Sequence, residues 1–335
     1  RSFGLLLVGP VPIGAFAEPE ESEMDRAPRR DRMRLFAAGP SINILATYVV
    51  LILLSSIASG MAAEHDGVHA RSIVAGGPAE QSGLSPFETV THIQGQEVID
   101  YDGFTELMRD LSSGDTVSLT VLSSPTSGDS REERFVDVTL GDRYQYYIDQ
   151  CDGDAGCIDE VVKILEILEI QQGDAFLGVA DLRSSTGAVE GYANIVEGKY
   201  TIGGTVLFTL LEPLVMLGEP IQNDGHTMIL QEREMLVAGD GFFASILGTE
   251  GILMLFDFLF WLVWINFLLG FANLIPMIPF DGGHLVRDGV HSVLRFLKRN
   301  THPMRIEELA NRISSLSSIF ILVILALPVI IPRLF

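Results

Sequence analysis

The chain has 335 residues, 47% of them hydrophobic, and a positive mean hydropathy of +0.32, yet it carries a formal charge of -22. That apolar content excludes an ordinary soluble domain, and the acidic balance excludes nucleic-acid binding, because phosphate contacts need basic patches. Both properties cannot come from one region, so apolar spans must alternate with acidic, solvated segments.

Phe3 to Phe16 is apolar but punctuated by Gly4, Gly9, Pro10, Pro12 and Gly14, which predicts short strands joined by a turn rather than a helix. Glu18 to Arg34 is dense in charge and holds Pro19 and Pro28, so residues 1–40 read as a membrane-associated hairpin followed by a polar loop. Ile42 to Met61 is a continuous apolar run long enough for a bilayer core and assigns a transmembrane helix to 41–63. Ile73 to Leu122 then alternates β-rich runs with turns, and Phe104, Leu107, Met108 and Leu111 have helical spacing. Val161 to Ile170 reads as a helix and Ala175 to Leu182 as a strand, which extends this domain over 64–200. Thr201 to Gly218 is apolar but contains Glu212 and Pro213, so it is placed on the membrane surface or against other helices, within an interfacial segment 201–249.

Gly251 to Pro276 is interrupted only by Asp257, Asn266 and Asn273, which fits a tilted or broken second span, assigned to 250–283. A basic segment, 284–311, separates it from a third apolar run, Ile313 to Pro332, assigned to 312–335. Arg26, Arg29, Arg30, Arg32 and Arg34 precede the first span, and Arg287, Arg295, Lys298, Arg299 and Arg305 lie between the second and third. The bias of arginine and lysine toward the cytoplasm therefore puts both flanks inside and 64–200 outside. These arginines need no role beyond setting topology and meeting lipid headgroups. The expectation is a multi-pass protein of the cell membrane.

Cys151 and Cys157 flank Asp152-Gly153-Asp154-Ala155-Gly156. An outward, oxidising location permits a disulfide but does not require one. The carboxylates do not follow the ligand spacing of an EF-hand, so the segment reads as a solvated loop.

The run Asn273-Leu274-Ile275-Pro276-Met277-Ile278-Pro279-Phe280-Asp281-Gly282-Gly283 closes the second span. An acid near hydrocarbon is costly and normally meets a cation, a metal or a wet cavity. Helix breaks at membrane depth survive where the freed backbone is buried or lines a cavity. The pattern N-x-x-P-x-x-P-x-D-G-G resembles the C-terminal signature of the site-2 proteases, zinc metalloproteases that cut substrates within membranes. Ala38-Gly39-Pro40-Ser41-Ile42-Asn43 is similar to that family's G-P-x-x-N, and residues 66–122 resemble the PDZ module many members carry. Phe87-Glu88 departs from the usual Gly-Asp of that module.

The resemblance implies a membrane protein with an α-helical transmembrane bundle and an inserted α+β PDZ-like extracellular domain. It makes Asp281 a Zn2+ ligand beside two histidines, with a water in the fourth position. Asn273 and Asn43 would orient a ligand or stabilise the oxyanion, helix-to-helix hydrogen bonding being the structural alternative. The implied partners are transmembrane protein substrates, the lipid bilayer and a peptide in the PDZ groove, and the hairpin 3–16 would hold an unwound substrate by strand addition. The family's H-E-x-x-H, which carries both histidines and the general base, is absent from this sequence. The chain is therefore expected to be an N-terminally truncated fragment of a metalloendopeptidase, inactive alone. A PDZ-bearing, non-catalytic membrane adaptor is the rival reading, and a transporter would need internal repeats that are not seen. His65 and His69 are rejected as ligands, since in extended chain they lie roughly 13 Å apart. His284, Trp261 and Trp264 read as interfacial or packing residues.

Overall fold

The computed structural model describes residues 2–8, 11–18, 24, 26–126, 130–199, 201–278, 280–298 and 301–334, with side chains placed between 24 and 322. Arg1, Gly9, Pro10, Pro19, Pro279 and Arg299, all used in the sequence reading, fall outside the described residues. Along the chain come strands β1 (Ser2–Val8) and β2 (Val11–Glu18), then helix α1 (Arg29–Ala58). Strands β3 (Met61–Ala63), β4 (Val68–Ile73), β5 (Thr89–Ile93) and β6 (Gln96–Glu97) precede α2 (Tyr101–Arg109). Strands β7 (Thr116–Leu122) and β8 (Glu133–Thr139) precede α3 (Ala155–Ile167). They are followed by β9 (Val179–Ser184), α4 (Gly187–Glu197), α5 (Ile202–Met216) and β10 (Leu236–Ala238). The long helices α6 (Phe242–Leu274), α7 (Asp281–Leu297) and α8 (Pro303–Leu334) complete the chain. Residues divide into two units, Arg1–Val50 with Leu262–Phe335, and Leu51–Trp261.

In the first unit, β1 and β2 pair antiparallel from Ser2↔Glu18 to Val8↔Val11, the hairpin expected from the glycine and proline spacing. Leu6 pairs with Gly14 and Leu7 with Pro12, so Ile13 is an extra residue in a bulge beside a proline that has no N–H for the ladder. Gly270 of α6 lies against α1, where a Cβ at 270 would come within 2.9 Å of Ile44 Cδ1 and 3.3 Å of Asn43 Cβ. A small residue at such a crossing lets two apolar helices approach closely. Helix α8 ties to α7 and to the preceding turn: Ser318 Oγ accepts from the Ile278 N–H at 3.3 Å, and Ser314 Oγ donates to the Gly283 carbonyl at 3.5 Å.

The second unit is organised by an antiparallel sheet in the order β9-β4-β5-β7-β8, with β6 paired to β5. Inward Val117, Leu119 and Val121 of β7 and Val136 and Val138 of β8 alternate with exposed Thr116, Ser118, Glu133 and Asp137, the period of a sheet with one covered face. Phe104 of α2 is buried in the resulting core, with Leu107, Met108 and Leu111 packed against it, as their spacing predicts. The same core holds Val68, Val90, Ile93 and Val98. Asp100 caps α2 by accepting from the Gly103 N–H at 2.8 Å. Phe87 adopts a left-handed backbone with φ 63, which costs a non-glycine residue about 1–2 kcal/mol and accounts for glycine being usual there. Its ring is anchored on His69, with centroids 6.0 Å apart.

Cys151 and Cys157 form a disulfide, so the loop left open above is bridged. Asp154 within it accepts from the Gly156 and Cys157 N–H groups and serves as the N-cap of α3. Asp257, without motif support in the sequence, pairs with Arg233 at 3.0 Å and accepts from Thr227 Oγ1 at 2.5 Å. Helix α6 is broken at Gly248 (φ 65, ψ -177), before the span expected from 251. Helix α5 continues through Pro213 and exposes Ile202, Leu207, Phe208, Leu211 and Leu214. Helices α1 and α6 are long and apolar enough to cross a membrane. The third expected span falls in α8, whose side chains beyond 322 are outside the described set.

Candidate metal centre

Pro276 lacks an N–H and disfavours helix at Ile275, so α6 ends at Leu274. A tight path follows, in which Met277 N–H donates to Ile275 O at 2.7 Å and Phe280 N–H to Met277 O at 2.9 Å. Helix α7 then starts at Asp281, with no side-chain cap from Phe280. The break thus delivers a carboxylate to the first turn of a helix, where the macrodipole favours negative charge. Gly282 and Gly283 are both buried. A Cβ at 282 would run into the carbonyl oxygens of Leu274 and Ile275, and one at 283 would lie 2.6 Å from the Ile278 nitrogen. The glycine pair is therefore required by close packing of α7 on the backbone of the broken segment, a second reason beyond tight turning.

Asp281 is half-buried and projects over Gly39, the glycine of the upstream motif: a Cβ at 39 would lie 3.5 Å from Asp281 Oδ2. No salt bridge or hydrogen bond engages its carboxylate among the described residues. Asp288, two turns along the same helix, behaves oppositely. It accepts a bidentate pair from Arg32 at 2.7 and 3.1 Å, and Arg29 Nε stands 3.8 Å away. One acid on this face is paired with protein cations, and the other has no such pair among the described residues. An acceptor-only carboxylate beside Gly39, with no ion pair or hydrogen bond among the described residues, fits zinc chemically as one donor among several.

Asn43 lies one turn beyond Gly39 on α1, half-buried, with its Cβ against Gly270. Its backbone carbonyl accepts from Thr47 Oγ1 at 2.9 Å. Asn273 is half-buried at the last turn of α6, three residues after Gly270. Neither amide side chain has a hydrogen bond among the described residues, whereas Asn266 donates to Leu262 O at 2.7 Å within its own helix. His284 stacks on Phe36 with ring centroids 4.6 Å apart. Groups of three or more His, Cys, Asp or Glu able to hold a metal do not occur among the described residues.

His69 is fully buried, with Nε2 3.1 Å from Glu232 Oε1. Arg71 grips the same carboxylate with two bonds of 2.7 Å. Burial would push the Glu232 carboxyl up, but the hydrogen bonds from His69 and Arg71 and the charge of Arg71 outweigh it and hold the group at about 2. No local pattern signalled a buried His69, since β4 buries Val68, His69 and Ala70 in succession. Its acidic partner lay too far along the chain to be read, as did Asp288 for Arg32.

A family model for peptidase family M50 matches residues 3–322. The zinc metalloprotease RasP of Oceanobacillus iheyensis is 24% identical over 270 residues, covering 78% of this chain and 51% of that protein. The chain thus spans about half the length of this curated relative. With nearly all residues matched, both membrane motifs included, the chain belongs to peptidase family M50, the site-2 protease family of membrane-embedded metalloproteases.

Proposed function

We propose that the intact protein is a zinc-dependent intramembrane endopeptidase that cleaves membrane-anchored proteins, and that Asp281 is the zinc ligand this chain contributes. The observation that carries the reading is the Asp281 carboxylate over Gly39, without an ion pair or hydrogen bond among the described residues, on a helix start packed against the broken segment. The histidine ligands and the general base would come from an H-E-x-x-H outside this sequence. When bound, zinc would supply a water of lowered pKa and polarise the scissile carbonyl. Gly282 and Gly283 hold the α7 start in place, so that Asp281 keeps its aim without rearrangement. Asn43 and Asn273, two amides without side-chain partners among the described residues at the α1 and α6 crossing, would orient a ligand or donate to developing negative charge. The β1–β2 hairpin offers backbone groups to an unwound substrate segment.

The sheet of the second unit we read as a PDZ-like domain on the outer face that filters substrates by size. Its outer strand β9 keeps one register with β4, with Asp181 (φ 52, a left-handed backbone) standing opposite Arg71. Asp181 is tied to Arg71 at 3.3 Å and Arg183 at 3.0 Å. Charges on an edge strand discourage strand addition, which supports a filter over a peptide groove.

The test is Asp281→Ala in the full-length protein. Cleavage of a membrane substrate should disappear and bound zinc should fall while the protein stays folded. Normal turnover would defeat the assignment. Deleting residues 66–190 should broaden substrate choice and leave zinc bound.

A further inference from the structure

Within the first unit, a cavity of about 510 Å³ opens between the start of α1, the end of α7 and the start of α8, with Arg29, His291, Arg295, Thr301, His302 and Glu307 in its wall. Two of these are permanent cations from different helices. Arg29 donates through Nη1 to His291 Nδ1. Because a guanidinium has no acceptor, His291 must carry its proton on Nε2, which leaves that N–H as a second donor. Burial and the neighbouring Arg29 charge hold the His291 pKa below its usual range, so the ring stays neutral and does not repel Arg29. Thr301 adds a hydroxyl. The one acid in the wall, Glu307, is exposed and forms no ion pair among the described residues. Asp288, the other acid nearby, is gripped by Arg32 at 2.7 Å and meets Arg29 only through Nε, at 3.8 Å. Donors therefore outnumber acceptors here, in an arrangement suited to tetrahedral oxyanions, which arginine binds with paired N–H groups.

The surroundings indicate the source of the anion. Phe296 is 84% exposed and Met304 73% exposed, each next to a residue of the cavity wall. Large apolar side chains beside arginines, on helices next to the apolar spans, suit the boundary between acyl chains and headgroups. We propose that this cavity binds a phosphate group, and that its source is the headgroup of an anionic phospholipid in the cytoplasmic leaflet.

The test is binding of phosphatidylglycerol to the full-length protein in detergent, measured by native mass spectrometry and thermal shift. Phosphatidylcholine and inorganic phosphate serve as the other arms. Phosphatidylglycerol should bind and stabilise, and Arg29→Gln and Arg295→Gln should each weaken it about fivefold, the loss expected for one basic residue at an anionic surface. Arg295 is exposed, so its variant is expected to fold even if Arg29→Gln is not. Glu307→Gln should strengthen binding. Arg34→Gln makes the same charge change outside the cavity, where Arg34 pairs with Asp31 at 3.6 Å, and should leave affinity unchanged. Displacement of the lipid by millimolar inorganic phosphate would keep the phosphate site but overturn the lipid source. Equal binding of phosphatidylcholine, or an equal loss in Arg34→Gln, would overturn the site itself.

Discussion

Gly39 of α1 and Asp281 of α7 face each other so closely that the glycine's missing side chain marks the space beside the carboxylate, 3.5 Å from a Cβ to Oδ2. A methyl group fits there at ordinary contact distance, whereas the longer branches of a leucine would compete for the space beside the carboxylate. Gly39→Ala should therefore retain zinc and activity. Gly39→Leu should displace the carboxylate and lower metal affinity by about 10–100-fold, the scale seen when groups supporting a metal ligand are changed. Zinc content and substrate cleavage of the full-length variants, measured together, check both outcomes.

Gly282 and Gly289 lie on one helix in opposite surroundings. A Cβ at 282 meets the backbone of Leu274 and Ile275, whereas one at 289 meets nothing within 4 Å. Backbone cannot give way as a side chain can, so Gly282→Ala should destabilise by about 3 kcal/mol or more. Gly289→Ala should stabilise by up to about 1 kcal/mol through helix propensity. Thermal unfolding in detergent separates the pair.

Arg32 and Asp288 are nearly buried, with side chains 10% and 3% exposed. Removing one partner strands the other charge, so Asp288→Asn and Arg32→Met should each cost about 3 kcal/mol. Replacing both with apolar residues should recover most of that loss. A double-mutant cycle on melting temperature measures the coupling, and additive losses would contradict it.

Glu232 has a carboxyl pKa of about 2 in the fold against an ordinary 4.5. The unfolded chain thus binds the proton more tightly, and acid favours unfolding. The stabilisation, about 3 kcal/mol, is fully present above pH 4.5 and is lost as pH falls from there to about 2. Hydrogen exchange of β4 and of residues 230–233 between pH 3 and 7 should show local loosening at the acid end. Glu232→Gln should flatten that dependence.

Much of the architecture was legible from local pattern. The β-rich run ending at Leu122 exposed β7, the spacing of Phe104, Leu107, Met108 and Leu111 exposed α2, and long apolar runs exposed α1 and α6, whereas β8 was not read from the sequence. The break after Asn273 followed from proline chemistry that acts within a few residues. The bridging of Cys151 to Cys157 was not legible, because a short separation permits the bond without bringing the two sulfurs together. The kink at Gly248 was missed as well, since glycine tolerates a left-handed backbone without requiring it.

The sequence by itself determined which segments are apolar and that the prolines after Asn273 stop a helix. Hydrophobic period and backbone stereochemistry suffice for those. It carried the second span to Gly283, however, where the structure instead starts a new helix at Asp281. Only the tertiary structure decided that Asp281 stays without a pair among the described residues while Asp288 is gripped by Arg32, and that His69 and Arg71 share Glu232. Charge pairing depends on distance in space, and residues hundreds of positions apart leave no trace of it in local composition.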